Sequence, residues 1–405
     1  MKRLIWLLCI FTAGAASLAA QVAIYGDKIY TMAGDPIQDG VILIEAGKIT
    51  AVGSASEATV PEGFEVHRAA VVTPGLIDAR TVIGLTGYLN QSHDQDQLEG
   101  AAAMQPELRA IDAYNPRERL VEWVRSFGVT TLHTGHGPGK LISGQTMVVK
   151  TAGDSVERAV LRPAVMVAAT LGEGAREQQG SPGSRSKMIA MLRQEFLRVQ
   201  DYARKRDSAD EDKKPALDLR KEALARVLDR ELSLLVTVHR AHDILSALRL
   251  AEEFNLSIVL DGAAESYLVA EEILQAGAPV IVHPAMQRAF GEAENLTFDS
   301  ASRLRQSGIS IALQSGFESY VPKTRVVLFE AAVAAAHGLS FDDALAAITI
   351  WPARLLGVDD RVGSLEAGKD GDVVLFDGDP FEYLTHVEAV FVDGRKVSDG
   401  DREWR

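Results

Sequence analysis

Some side chains of this sequence are of a type and spacing to act together. In "FGVTTLHTG", Thr131 and His133 alternate with Leu132, and His136 follows three residues on in the glycine-rich "GHGPGK". In "LLVTVHRAHD", Thr237 and His239 alternate with Val236 and Val238. His283 closes "PVIVHPA", and Asp78 and Arg80 form the polar end of "VVTPGLIDARTVIG". Residues two apart on a strand share a face, so the Thr–His pairs point one way and the valines the other. Imidazoles ligate zinc, which needs three protein ligands and a water. His133, His136 and His239, with Asp78 or Asp94 as a carboxylate, make one such set. A second chemistry needs no metal: Arg80, a fixed cation rich in donors, stabilises an oxyanion while His239 takes a proton from water. Each histidine alone also has an ordinary reading, as a partly buried ring bonded to a backbone carbonyl or a neighbouring acid. Arg80 has one too, as the ion-pair partner of Asp78 or another acid.

The elements that must position these groups read as a parallel sheet. From about 73 to 360, short apolar strands alternate with helical stretches. Strands are expected at 71–78, 129–133, 160–168, 234–239, 257–261, 279–283 and 309–314. Helices are expected at 115–127, 241–254, 266–276, 323–337 and 341–348. The length suits a (β/α)8 TIM barrel, whose chemistry sits at the C-terminal strand ends. Its fourth strand, expected between about 171 and 233, has no visible candidate. That stretch instead predicts a helical hairpin (184–232) with the charged tip "RKRDSADEDKKP", a surface elaboration or else a lid or oligomer contact. Both ends of the chain are β-rich, with Asp39-Gly40 and Ala46-Gly47-Lys48 as turn signals. They predict a small β-sandwich-like domain from residues 20–72 and 361–405.

With 405 residues the chain is long enough for a large barrel and an accessory domain, and its net charge of −14 argues against a nucleic-acid partner. Lys2 and Arg3, an apolar run to Phe11 and small residues through Ala20 give the order of a secretory signal over 1–19, cleaved after Ala19. The expectation is a periplasmic or secreted protein with no membrane span after cleavage. Cys9, the sole cysteine, lies inside that segment, so the mature chain relies on its core rather than on disulfides. No GxGxxG or GxxxxGKS run follows a strand, which disfavours nucleotide enzymes.

Four segments carry a resemblance. "DGVILIEAGKITAVG", "TPGLIDA", "FGVTTLHTG" and "AITIWPARLLGVDDRVGSLEAGKDGDVVLFDGDP" together resemble the imidazolonepropionase-like branch of the amidohydrolase superfamily over nearly the whole mature chain. The resemblance implies one or two divalent metals at the barrel mouth. Their ligands would be a His-x-His pair on the first strand, a carboxylated Lys or Glu on the fourth, His on the fifth and sixth, and Asp on the eighth. In this sequence the first pair is Arg80 and Val82, the sixth strand offers Asp261 and Gly262, and the eighth offers Ser315 or Gly316. Only His239, on the fifth, is retained. The expectation is a divergent member with a remodelled site, holding one divalent metal (zinc or manganese) or none. It acts as a hydrolase of non-peptide carbon–nitrogen bonds, cyclic amides among them, with His239, Arg80 and Asp78 as catalytic groups. The competing expectation is a non-catalytic member that binds a small-molecule ligand or forms a homo- or hetero-oligomer with another amidohydrolase-like chain.

Overall fold

The computed structural model describes residues 21–89, 91–177, 180–208, 210, 212, 214–317 and 325–399. The expected signal segment, 1–19, lies outside them. In chain order the strands are β1 (Gln21–Ile29), β2 (Ile37–Glu45), β3 (Lys48–Ser54), β4 (Glu65–Pro74), β5 (Leu76–Thr81), β6 (Val129–Gly135), β7 (Ile142–Lys150) and β8 (Val160–Thr170). Then come β9 (Ser233–Val238), β10 (Ile258–Gly262), β11 (Val280–Val282), β12 (Ile311–Ala312), β13 (Val373–Phe376), β14 (Val387–Val392) and β15 (Arg395–Ser398).

Strands from both termini form one seven-stranded sheet in the order β15-β14-β13-β4-β1-β2-β3. Tight hairpins need residues at positive φ, and the β2–β3 turn supplies Ala46 and Gly47 while the β14–β15 turn supplies Asp393 and Gly394. The sheet curls until these outer turns nearly meet: Gly371 N–H donates to Gly47 O at 2.8 Å and Gly394 N–H to Gly371 O at 2.9 Å. A Cβ on Gly394 would lie 2.6 Å from Ile44, so the approach requires glycine. Ile24, Ile44, Val72, Leu375 and Phe391 fill the curl, giving a sandwich-like core. One expectation fails here: Asp39-Gly40 is no turn. It lies inside β2, where Asp39 takes a positive φ and drops out of the pairing with β1.

The other eight strands form the barrel, in sheet order β5 to β12. Backbone bonds close the seam, from Ala79 N–H to Leu313 O and from Gly316 N–H to Arg80 O, both 3.2 Å. The expected (β/α)8 outline is present with one departure. No strand lies between 171 and 233 among the described residues; the eighth strand is β7, antiparallel to both β6 and β8. Chain length explains this. A parallel neighbour needs a crossover of a dozen or more residues, whereas β6 ends at 135 and β7 starts at 142, which allows only an antiparallel return. β8 is therefore fourth in the sheet. The 171–233 stretch holds the helices Arg185–Arg206 and Leu219–Leu228, with Ser184 and Asp218 as side-chain N-caps. Met188, Leu192, Phe196, Val199 and Leu224 join the main core. Among the described residues no helix is long and apolar enough to cross a membrane.

Because β7 runs backwards, its C-terminal residue lies at the barrel's other end. There Lys150 Nζ reaches Asp370 at 2.7 Å, Asp372 at 3.0 Å and Asp393 at 2.5 Å, all but Asp393 deeply buried. This cluster ties the barrel to the curled sheet.

Candidate active site

The C-terminal ends of the parallel strands meet around a cavity of about 60 Å³, lined by Arg80, Val82, His239, Asp261, Gly262 and Gly316 among others. Those residues come from the first, fifth, sixth and eighth strand positions, the places to which the resemblance assigns metal ligands.

Arg80 dominates it. Its side chain is only 3% exposed. Nη1 donates to Thr81 O at 3.1 Å and Nη2 to His136 O, bracing the end of β5 against the loop after β6. Burial lowers its pKa, while the Asp261 and Asp78 charges hold it up; a guanidinium keeps its proton in proteins. Asp78 lies alongside, with Oδ1 accepting from Ser315 N–H at 3.0 Å and Arg80 N–H at 3.2 Å. Burial pushes its carboxyl up to about 6, against those bonds and against Arg80. Asp261 accepts from Thr237 Oγ1 at 2.5 Å and Gln314 Nε2 at 2.8 Å, so both its oxygens are engaged.

The histidines divide. His239 lines the cavity beside Thr237, while Val236 and Val238 pack in the core. Its ring sits on Gly262, where a Cβ would lie 2.7 Å from Cε1. Nδ1 is buried with no hydrogen-bond partner, and burial lowers the ring's pKa against Asp261 and Glu292, so it is neutral at pH 7. His133, by contrast, is a core residue: Nδ1 meets Ala79 O at 2.6 Å and Nε2 meets Thr146 Oγ1 at 2.7 Å. Burial and Arg80 push it down to about 3. His283 is committed likewise, to Pro284 O and Ser300 Oγ, both 3.0 Å. His136 is buried with neither ring nitrogen hydrogen-bonded; burial first, then Arg80, lowers it to about 4. It meets the site through its carbonyl, not its ring. His93 and Asp94 pair on the surface.

The expected metal set of His133, His136 and His239 therefore does not assemble. Among the described residues no three His, Cys, Asp or Glu side chains gather so as to hold an ion. Thr170 ends the fourth strand, where a carboxylated Lys or Glu would stand, and its hydroxyl accepts from Gly139 N–H. On the eighth, Gly316 has φ 71°, and a Cβ there would lie 2.5 Å from Pro284, so an Asp has no room. The residues present do not fit the metal centre of the superfamily. Sequence reasoning also missed Gln314, which fixes Asp261, and Glu330, which lies in the helix Val327–Ala336. Glu330 is 1% exposed, accepts from Met286 N–H at 3.1 Å and is pushed to about 7 by burial, with Asp78 also raising it. A lone acid inside "VLFEAAVAAA" was the available signal.

The chain thus combines an eight-stranded barrel, a polar cluster at its C-terminal mouth and a second sheet built from both termini. The Amidohydrolase family model matches residues 291–397. A solved amidohydrolase from Thermotoga maritima MSB8 superposes with a TM-score of 0.88 at 28% identity, over 93% of this chain and all of that one. An imidazolonepropionase from Fusobacterium nucleatum is 24% identical, over 89% of this chain and 91% of its own length. Amidohydrolase tasK from Hapsidospora irregularis is 26% identical over 88% of this chain, which spans only 39% of that longer protein. The chain is a member of the amidohydrolase superfamily.

Proposed function

We propose that the chain is a metal-independent hydrolase of amide-type carbon–nitrogen bonds in small non-peptide molecules. The likeness to imidazolonepropionases favours cyclic amides. The observation that carries this reading is a neutral, unpartnered His239 facing the same cavity as the buried Arg80 cation. His239 removes a proton from water as the oxygen attacks the amide carbon. The carbonyl electrons move onto oxygen, and Arg80 counters that negative charge. Collapse re-forms the carbonyl and breaks the C–N bond, and His239 returns its proton to the departing nitrogen. Asp78, held by Ser315, positions Arg80 through its backbone N–H.

The non-catalytic reading has one observation in its favour. Each terminal nitrogen of Arg80 already gives one of its two hydrogens to a backbone carbonyl, and about 60 Å³ is far below the roughly 300–1,000 Å³ of ordinary ligand pockets. Turnover of a panel of cyclic amides in metal-free buffer separates the two. Hydrolysis abolished by His239→Ala supports the enzyme. Thermal stabilisation by such an amide without turnover supports the binding protein. For location we propose export, from the leader-like first nineteen residues.

A further inference from the structure

We infer that the barrel mouth is a cation site that this chain fills with its own side chain, and that shortening residue 80 opens it to a free guanidinium ion. The inference concerns what holds the mouth together and stands whether or not the mouth hydrolyses anything.

Position comes first. The cavity draws its walls from the strands to which the superfamily resemblance assigns metal ligands, and Arg80 is buried among them. Charge comes second. Asp78 and Asp261 are 1% and 4% exposed, and both act electrostatically on Arg80. Two buried carboxylates without a cation leave uncompensated charge, which is costly in a low-dielectric interior. Shape comes third. The guanidinium is a flat fork, and two of its prongs reach carbonyl oxygens on separate segments, Thr81 and His136. A lysine ammonium is a compact point charge without that fork.

A vacated site would therefore select by shape. Truncating Arg80 leaves two carbonyl acceptors on separate segments and the existing void, in the field of two buried carboxylates, which together match a planar monocation with several donors. They match a dication poorly. Both Asp261 oxygens are already engaged, Gly316 supplies no ligand, and the His133 nitrogens are committed elsewhere.

The test is thermal melting of Arg80→Ala and Arg80→Lys, with about 20 mM ethylguanidinium chloride as the probe and equal sodium chloride or zinc chloride as controls. Arg80→Ala should melt about 5–10 °C below wild type, as expected for an unpaired buried charge. Ethylguanidinium should restore part of that loss and leave wild type unmoved. A folded Arg80→Ala that ethylguanidinium does not stabilise, or that zinc stabilises equally, overturns the inference. If Arg80→Ala does not fold, Arg80→Lys decides. The inference expects it to melt below wild type and to ignore the probe because its own side chain fills the site; a lysine variant as stable as wild type overturns it. Failure of the hydrolase reading would show instead as wild type that turns over no cyclic amide, whatever ethylguanidinium does to Arg80→Ala.

Discussion

At the residue scale, two groups at the mouth make opposite kinds of prediction. His239 is half-buried and bonded to little, so His239→Ala should leave the melting temperature nearly unchanged. If the hydrolase reading holds, it should cut turnover by about 10²–10⁴-fold; steady-state kinetics beside a melting curve checks both. Glu330 should show in stability instead. Its folded pKa of about 7 lies above its ordinary 4.5. Between those values the folded state holds more protons than the unfolded one, and stability falls as pH rises through the window. His136 and His283, each lowered to about 4, work the other way, adding stability from pH 4 to 6.5. Glu330→Gln isolates the first effect. Its stability relative to wild type should grow between pH 5 and pH 8, by about 2–4 kcal/mol. A difference that does not vary with pH would show that Glu330 is ionised throughout.

At the element scale, β7 does two jobs. It completes the barrel, and it delivers Lys150 to Asp370, Asp372 and Asp393 at the opposite end. Lys150→Met should cost about 3–5 kcal/mol, because Asp372 stays buried after its cation is gone, while Asp370 keeps Lys48 and Arg361; chemical denaturation measures it. None of this was legible in the sequence. "ISGQTMVVK" follows β6 too closely for a parallel crossover, so a search for strands alternating with helices passed over it. The aspartates that explain Lys150 stand more than two hundred residues later. The inward pairing of Thr237 with His239 was legible, because period-two alternation on a strand with one apolar face fixes which way side chains point. The fate of His133 was not, since its partners Ala79 and Thr146 belong to neighbouring strands whose register only the folded barrel sets. The same holds for Gly316, excluded as a ligand by its φ and by the closeness of Pro284.

At the scale of the whole molecule, the closing segment and the "PGLID" entry located the fold, and the losses at Arg80 and Val82 located the difference. Barrel, curled sheet and helical insertion are all present, while the centre we propose is built around a guanidinium where the resemblance implies a metal. If export is correct, intact mass of the mature protein should correspond to a chain beginning at Ala20; an uncleaved amino terminus in the periplasmic fraction would contradict it. The most direct test of the proposed centre is elemental analysis of protein purified without added metal, paired with melting before and after chelation. The account predicts far less than one zinc or manganese per chain and a melting temperature that chelator leaves unchanged. A stoichiometric ion that disappears in His239→Ala would contradict it.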